Sequence, residues 1–173
     1  MITETRTVWI IFAAAVMVRL AYTLGLYVAL GSEAFLAEDS GLYLALGRDF
    51  LAEGDFVRFL DEERGYQIET ERMPLYIIWL AIHQWLSGSM TPLFPALTQG
   101  VVDAFACVLI ARTAALLDSR LLMPAGLIAA FNPTQFVVSA MILTDSLFFF
   151  FVCLMLYAAI RWLREPSWRW ALR

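Results

Sequence analysis

Lysine is missing from this chain of 173 residues: all twelve basic residues are arginine, sixteen acids outnumber them, and the formal net charge is −4. No basic patch is available to grip a nucleic-acid backbone, so that class of partner is excluded. Histidine occurs once, at His83, with no second ligand at the H-x-x-x-H spacing of a zinc helix, and no metal site of that kind is expected. Cysteine occurs twice, at Cys107 and Cys153. Each lies inside an apolar run, where packing as a small hydrophobe fits better than a disulfide or a metal ligand. Gly-rich phosphate loops, a nucleophile elbow, internal repeats and low-complexity linkers are all lacking. So is a small-x-small cleavage site after the first apolar run, which at over twenty residues outgrows a signal-peptide core of roughly 7 to 15. That run reads as a retained first span.

What the chain does have is apolar side chain. Hydrophobic residues make up 61% and the mean hydropathy is +0.72, more than a small soluble core could bury. Four runs reach the roughly 20 residues needed to cross a bilayer: about 8–30, 95–117, 121–141 and 146–163. A fifth, "PLYIIWLAIHQWLSG" at 74–88, is shorter and carries His83 and Gln84, which predicts a helix lying in the membrane interface with those two on its polar side.

The arginines favour this reading. With four spans and the N-terminus inside, Arg6, Arg112, Arg120, Arg161, Arg164, Arg169 and Arg173 lie on the cytoplasmic side, and Arg48, Arg58, Arg64 and Arg72 in a long outer segment. This follows the positive-inside rule. If 74–88 crossed, only Arg6 would remain inside. The outer segment then holds eleven acids and two surface helices. One covers 40–53, with Leu42, Tyr43, Leu46 and Phe50 on one face and a stop at Gly54; the other covers 74–88 and starts at Pro74. Between them, "DFVRFLDEERGYQIETER" has no strong periodicity and reads as a loop. The expected architecture is a single all-α, polytopic membrane domain over 1–173, with four spans and two juxtamembrane amphipathic helices. The aromatics of "SWRWALR" are expected at the membrane belt.

Three motifs then recur in a telling order: "EDSGLYLALGRDFLAEGDF", "RMPLYIIWLA" and "LTDSLFFFFVCLMLYA". Together they resemble the N-terminal part of GT-C superfamily glycosyltransferases, the membrane enzymes related to protein O-mannosyltransferases and aminoarabinose transferases. The resemblance implies transfer of a sugar from a polyprenyl-phosphate carrier to a glycan, lipid or protein acceptor outside the plasma membrane. Cofactors are not required, although the acidic loop leaves room for a weakly held divalent cation. On this resemblance the acid after the first span is Asp39 and the tyrosine of the following helix Tyr43. Arg72, Pro74, Leu75 and Tyr76 form the Arg-x-Pro-aliphatic-Tyr element, and Asp145 heads a later span. Relatives often carry Asp-Glu where this chain has Asp39-Ser40, its glutamate being Glu38 on the other side. They also run to several hundred residues, so the chain is expected to be an incomplete N-terminal part, "REPSWRWALR" approaching a further membrane element.

In that chemistry an acceptor hydroxyl attacks the anomeric carbon and polyprenyl phosphate leaves as a stable anion. One carboxylate base could suffice, unlike the paired acids of glycosidases. Asp39 is the candidate base, Glu38 its alternate and Asp145 a second acid of the site. For Asp39 and Asp145 alike, helix capping is the competing reading. Tyr43, Tyr76 and Arg72 are expected to bind substrate, Arg72 through a forked contact with the carrier phosphate, or else to anchor the second surface helix. Asp103, inside the second span, is expected either to line the site or to satisfy Arg19 in the first. The alternative from another class is a noncatalytic membrane scaffold that binds lipid carriers or partner helices. A transporter is less favoured, since the acids gather at one surface and not at the midplane.

Overall fold

The computed structural model describes residues 2–69, 71–89 and 91–166, and it is mostly helical. Helix α1 spans Ile2–Leu30, α2 Ser40–Glu53, α3 Pro74–Ser87, α4 Leu93–Leu117, α5 Leu122–Ala130, α6 Pro133–Ala140 and α7 Asp145–Arg164. Short 3-10 turns sit at Ser32–Phe35 and Ser119–Leu121. Three of the helices are long and apolar enough to cross a membrane: α1, α4 and α7. Trp168, Trp170, Arg169 and Arg173, expected at the belt and the inner face, lie outside the described residues.

Which residues face out identifies the solvent. Trp9, Met17, Phe148 and Met155 are more than half exposed, whereas Arg19, Thr23, Gln99, Asp103 and Ser139 are buried. A water-soluble bundle would reverse that distribution. The chain is a membrane protein, apolar outside and polar within.

Two expectations need correction. The segment read as a loop contains an antiparallel hairpin, β1 Val57–Asp61 with β2 Gly65–Ile68, so the fold is not wholly α. Gly65, at φ 61°, takes the left-handed conformation after the charged turn. The rings of Phe59 and Tyr66 meet across the ladder at 5.3 Å, and Arg58 reaches Glu69 at 3.8 Å. Asp49 fastens the hairpin to α2, its carboxylate accepting the Phe59 N–H at 3.2 Å.

The third apolar run, expected as one span over 121–141, is broken instead. Its halves, α5 and α6, bend by 52° around Phe131 and Asn132. Pro133 has no N–H to continue the helix and holds Asn132 in extended backbone, while the Asn132 side chain accepts the Thr134 N–H and starts α6 afresh. Carbonyls freed at a break inside a membrane need donors. Arg19 supplies one: its Nη1 donates to Ala130 O at 3.0 Å and to Ala15 O at 3.2 Å. Its Nε donates to Asp103, its Nη2 to Cys107 Sγ, and Gln135 of α6 donates to the other Asp103 oxygen. One buried arginine therefore ties α1, α4 and both halves of the broken run together.

Packing at this level is close. A Cβ on Gly126 of α5 would meet three Ile11 side-chain atoms at 2.6 to 2.9 Å. Gly126→Val is therefore expected to destabilise the bundle by about 1–3 kcal/mol through overpacking, read as a lower unfolding temperature in detergent. Gly41→Ala, where the added Cβ meets nothing within 4 Å, should leave that temperature nearly unchanged.

Candidate functional site

The turn leading into α7 is locked to the start of α2. Ile142 N donates to Phe35 O at 2.9 Å, and Ser40 Oγ donates to Ile142 O at 2.9 Å while accepting the Ala37 N–H. Asp39 immediately precedes Ser40, and Asp145 follows Ile142 by three residues. Two acids 106 positions apart thus stand at one end of the bundle. Neither takes up the capping role. Asp39 occupies the N-cap position of α2 without a side-chain capping bond, and the N-terminus of α7 likewise has none. Asp39 and Asp145 are both exposed, and so is Glu38.

Arg72 reaches Asp39 through Nη2 at 3.4 Å, and its guanidinium carbon stands 5.7 Å from the centre of the Tyr43 ring. Its Nε is buried without a hydrogen-bond partner. The Tyr43 ring meets Tyr76 edge-on at 5.1 Å. Tyr76 OH donates to Gln99 Oε1 at 2.8 Å, and Gln99 Nε2 donates to Met141 O at 2.8 Å, closing the circuit back to the turn before Asp145. Burial, then Tyr43, then Asp145 push the Tyr76 phenol well above its ordinary pKa. It stays a neutral donor, suited to positioning and not to proton transfer. Tyr76→Phe should cost about 1–3 kcal/mol by stranding a buried Gln99 acceptor, measurable as a fall in unfolding temperature.

Beside this cluster runs an apolar groove of about 220 Å³ lined by Met73, Leu75, Tyr76, Thr144, Leu147 and Phe148 among others. In the first turn of α7 the Ser146 hydroxyl is buried with no partner. Gln99 and Ser146 escaped the sequence reading. A glutamine inside an otherwise apolar span was the available signal for the first; nothing marked the second.

Asp103 is held apart from this cluster. It is fully buried, with both carboxylate oxygens taken by Arg19 and Gln135, so of its two readings the contact with Arg19 is the one seen. His83, expected on an exposed polar side, is buried. It lies 2.8 Å from Thr98 of α4 and against the rings of Trp79 and Phe94. The outward side of α3 carries Leu75, Ile82, Trp85 and Leu86. Tyr76 near the start of α3 and His83 near its end contact Gln99 and Thr98, neighbours on α4. Helix α3 therefore lies across the end of α4 and does not run beside it. Among the described residues, no group of three or more His, Cys, Asp or Glu side chains converges as ligands for a metal ion.

In comparisons with known proteins, no family model matches the chain, and neither a curated protein nor a solved structure is similar to it. The site's own geometry carries the functional reading.

Proposed function

We propose that the chain belongs to a membrane glycosyltransferase that moves a sugar from a polyprenyl-phosphate carrier to an acceptor hydroxyl at the outer membrane surface. The observation that carries the reading is the gathering of Asp39, Asp145 and Arg72, through Tyr43 and Tyr76, at one end of the bundle beside an apolar groove. The carrier's isoprenoid tail lies along the groove and its phosphate meets the partly exposed guanidinium of Arg72. The acceptor O–H attacks the anomeric carbon, the bond from that carbon to the phosphate oxygen breaks with its electrons going to phosphate, and the proton passes to Asp39. Asp145 orients the sugar or acceptor. With the broken pair counted as one, the chain has four spans. The arginines at the opposite end, Arg6, Arg112, Arg120, Arg161 and Arg164, support placing that end in the cytoplasm and the site outside the plasma membrane.

The noncatalytic alternative, a module that binds lipid carriers without transfer, draws on the pairing of Asp39 with Arg72, which gives that carboxylate a structural partner. Membrane vesicles bearing the protein, supplied with polyprenyl-phosphate-linked radiolabelled hexoses and pentoses, separate the two. Label moving into acceptor is the expected result. Retention of donor without turnover would favour the module. Topology is checked by single cysteines placed at Glu63 and Asp118 in a chain with Cys107 and Cys153 changed to alanine. In intact cells an impermeant maleimide should label position 63 and spare position 118.

A further inference from the structure

A second crevice opens at the other end of the bundle. Helices α1 and α7 both pack on α4, and between them lies a space of about 500 Å³ walled by Trp9, Phe12, Phe105, Phe150 and Leu154. It adjoins a polar recess of about 300 Å³ that shares Thr5, Val8 and Arg112 with it and adds Arg161, Tyr157 and Glu4. The two form one cleft, apolar toward the membrane core and charged at the rim. Among the described residues, Arg112 has no hydrogen bond or ion pair, and Arg161 is held only by Glu165 at 2.8 Å, a residue in the turn after α7. With Glu165 on Arg161 and Glu4 in the same recess, Arg112 is the guanidinium of the rim left without an ion-pair partner among the described residues.

We infer that this cleft is a specific site for an anionic phospholipid. Its phosphate is bound by Arg112 and Arg161, and one acyl chain lies on α4 between α1 and α7. The charge selects the occupant. A neighbouring apolar helix would fill the walls and leave Arg112 unanswered, whereas an anionic headgroup at a membrane rim pairs with Arg112 and shares Arg161 with its exposed partner Glu165. Tyr157 at the same rim offers a hydroxyl to the glycerol and phosphate oxygens. The site is distinct from the Asp39 cluster and does not depend on the sugar-transfer reading.

Native mass spectrometry of the purified chain in detergent, titrated with phosphatidylglycerol or with phosphatidylcholine of the same acyl chains, tests this directly. Retention of phosphatidylglycerol should exceed that of phosphatidylcholine on the order of tenfold, the effect expected of two arginines at an anionic surface. Arg112→Ala with Arg161→Ala should erase the preference. Leu109→Trp keeps both charges and fills the apolar half, and it should lower retention of both lipids; it serves also if the double variant fails to fold. Millimolar inorganic phosphate should not compete. Equal retention of the two lipids, a preference that survives the double variant, unchanged retention in the tryptophan variant, or displacement by inorganic phosphate would each overturn the proposal.

Discussion

Replacing Asp103 with leucine while Arg19 stays in place is expected to leave little monodisperse protein after extraction into detergent. The cost follows from what remains behind: a fully buried guanidinium facing Cys107 and two backbone carbonyls with its counter-ion removed. Breaking a buried pair from one side costs about 3–5 kcal/mol, a large share of a typical domain's stability of about 5–15 kcal/mol. Gln135 loses its acceptor as well. Arg19→Leu should be as damaging for a different reason, since it leaves Ala130 O unbonded at the break between α5 and α6. Arg19→Lys cannot rescue it, because an ammonium is a single point of donation and the guanidinium serves four acceptors from one plane. The paired change Arg19→Met with Asp103→Leu should recover part of the loss, as apolar replacements of buried ion pairs do. It should not recover all of it, because Ala130 O still lacks a donor. Size-exclusion profiles and unfolding temperatures of the four variants check this order.

That knot also shows where reading the sequence ran out. The three long helices were legible because hydropathy over some twenty residues needs no tertiary information: α1, α4 and α7 fall where the apolar runs do. Gly54 and Pro74 marked helix ends through local backbone preference, and each does so in the structure. The broken third run was hidden by the same averaging that revealed the others, since one Asn-Pro pair hardly lowers the mean over 121–141. Pro133 itself was the signal passed over. The hairpin was masked by charge: Val57, Phe59, Tyr66 and Ile68 alternate, but Asp, Glu and Arg between them dominate the composition. His83 was misplaced by logic that holds in water, where the polar side of a helix faces out. Around α3 the outward residues are apolar, so the polar side turns toward α4. That Asp39 and Asp145 stand at the same end of the bundle was expected from counting spans, whereas the circuit through Tyr76, Gln99 and Met141 depends on side chains meeting in space and could not be read beforehand.

Asp39→Asn should lower the turnover of sugar transfer by about 10²–10⁴, the usual contribution of a positioned general base, while the apparent KM for the lipid-linked donor changes little. Asparagine keeps the size and a hydrogen-bonding oxygen and loses the negative charge, and with it the capacity to take the proton; the pair with Arg72 is weak and half exposed, so the deficit falls mainly on kcat. Folding should hardly register the change. The Asp39 side chain is half exposed, makes no capping bond, and meets Arg72 in a partly solvated pair worth at most about 1 kcal/mol. Arg72→Leu is expected to act in the opposite way, raising the KM for donor more than it lowers kcat, because the phosphate loses its cation while the base survives. Asp145→Asn should fall between the two, affecting both constants if that carboxylate orients a bound hydroxyl. Glu62→Gln, in the turn of the hairpin, controls for the loss of one acidic charge. Initial rates at varied donor concentration, measured in vesicles with matched amounts of folded protein, distinguish these patterns. An Asp39→Asn variant that transfers sugar at the parent rate would remove the base from the mechanism and leave Asp145 as the acid to test next.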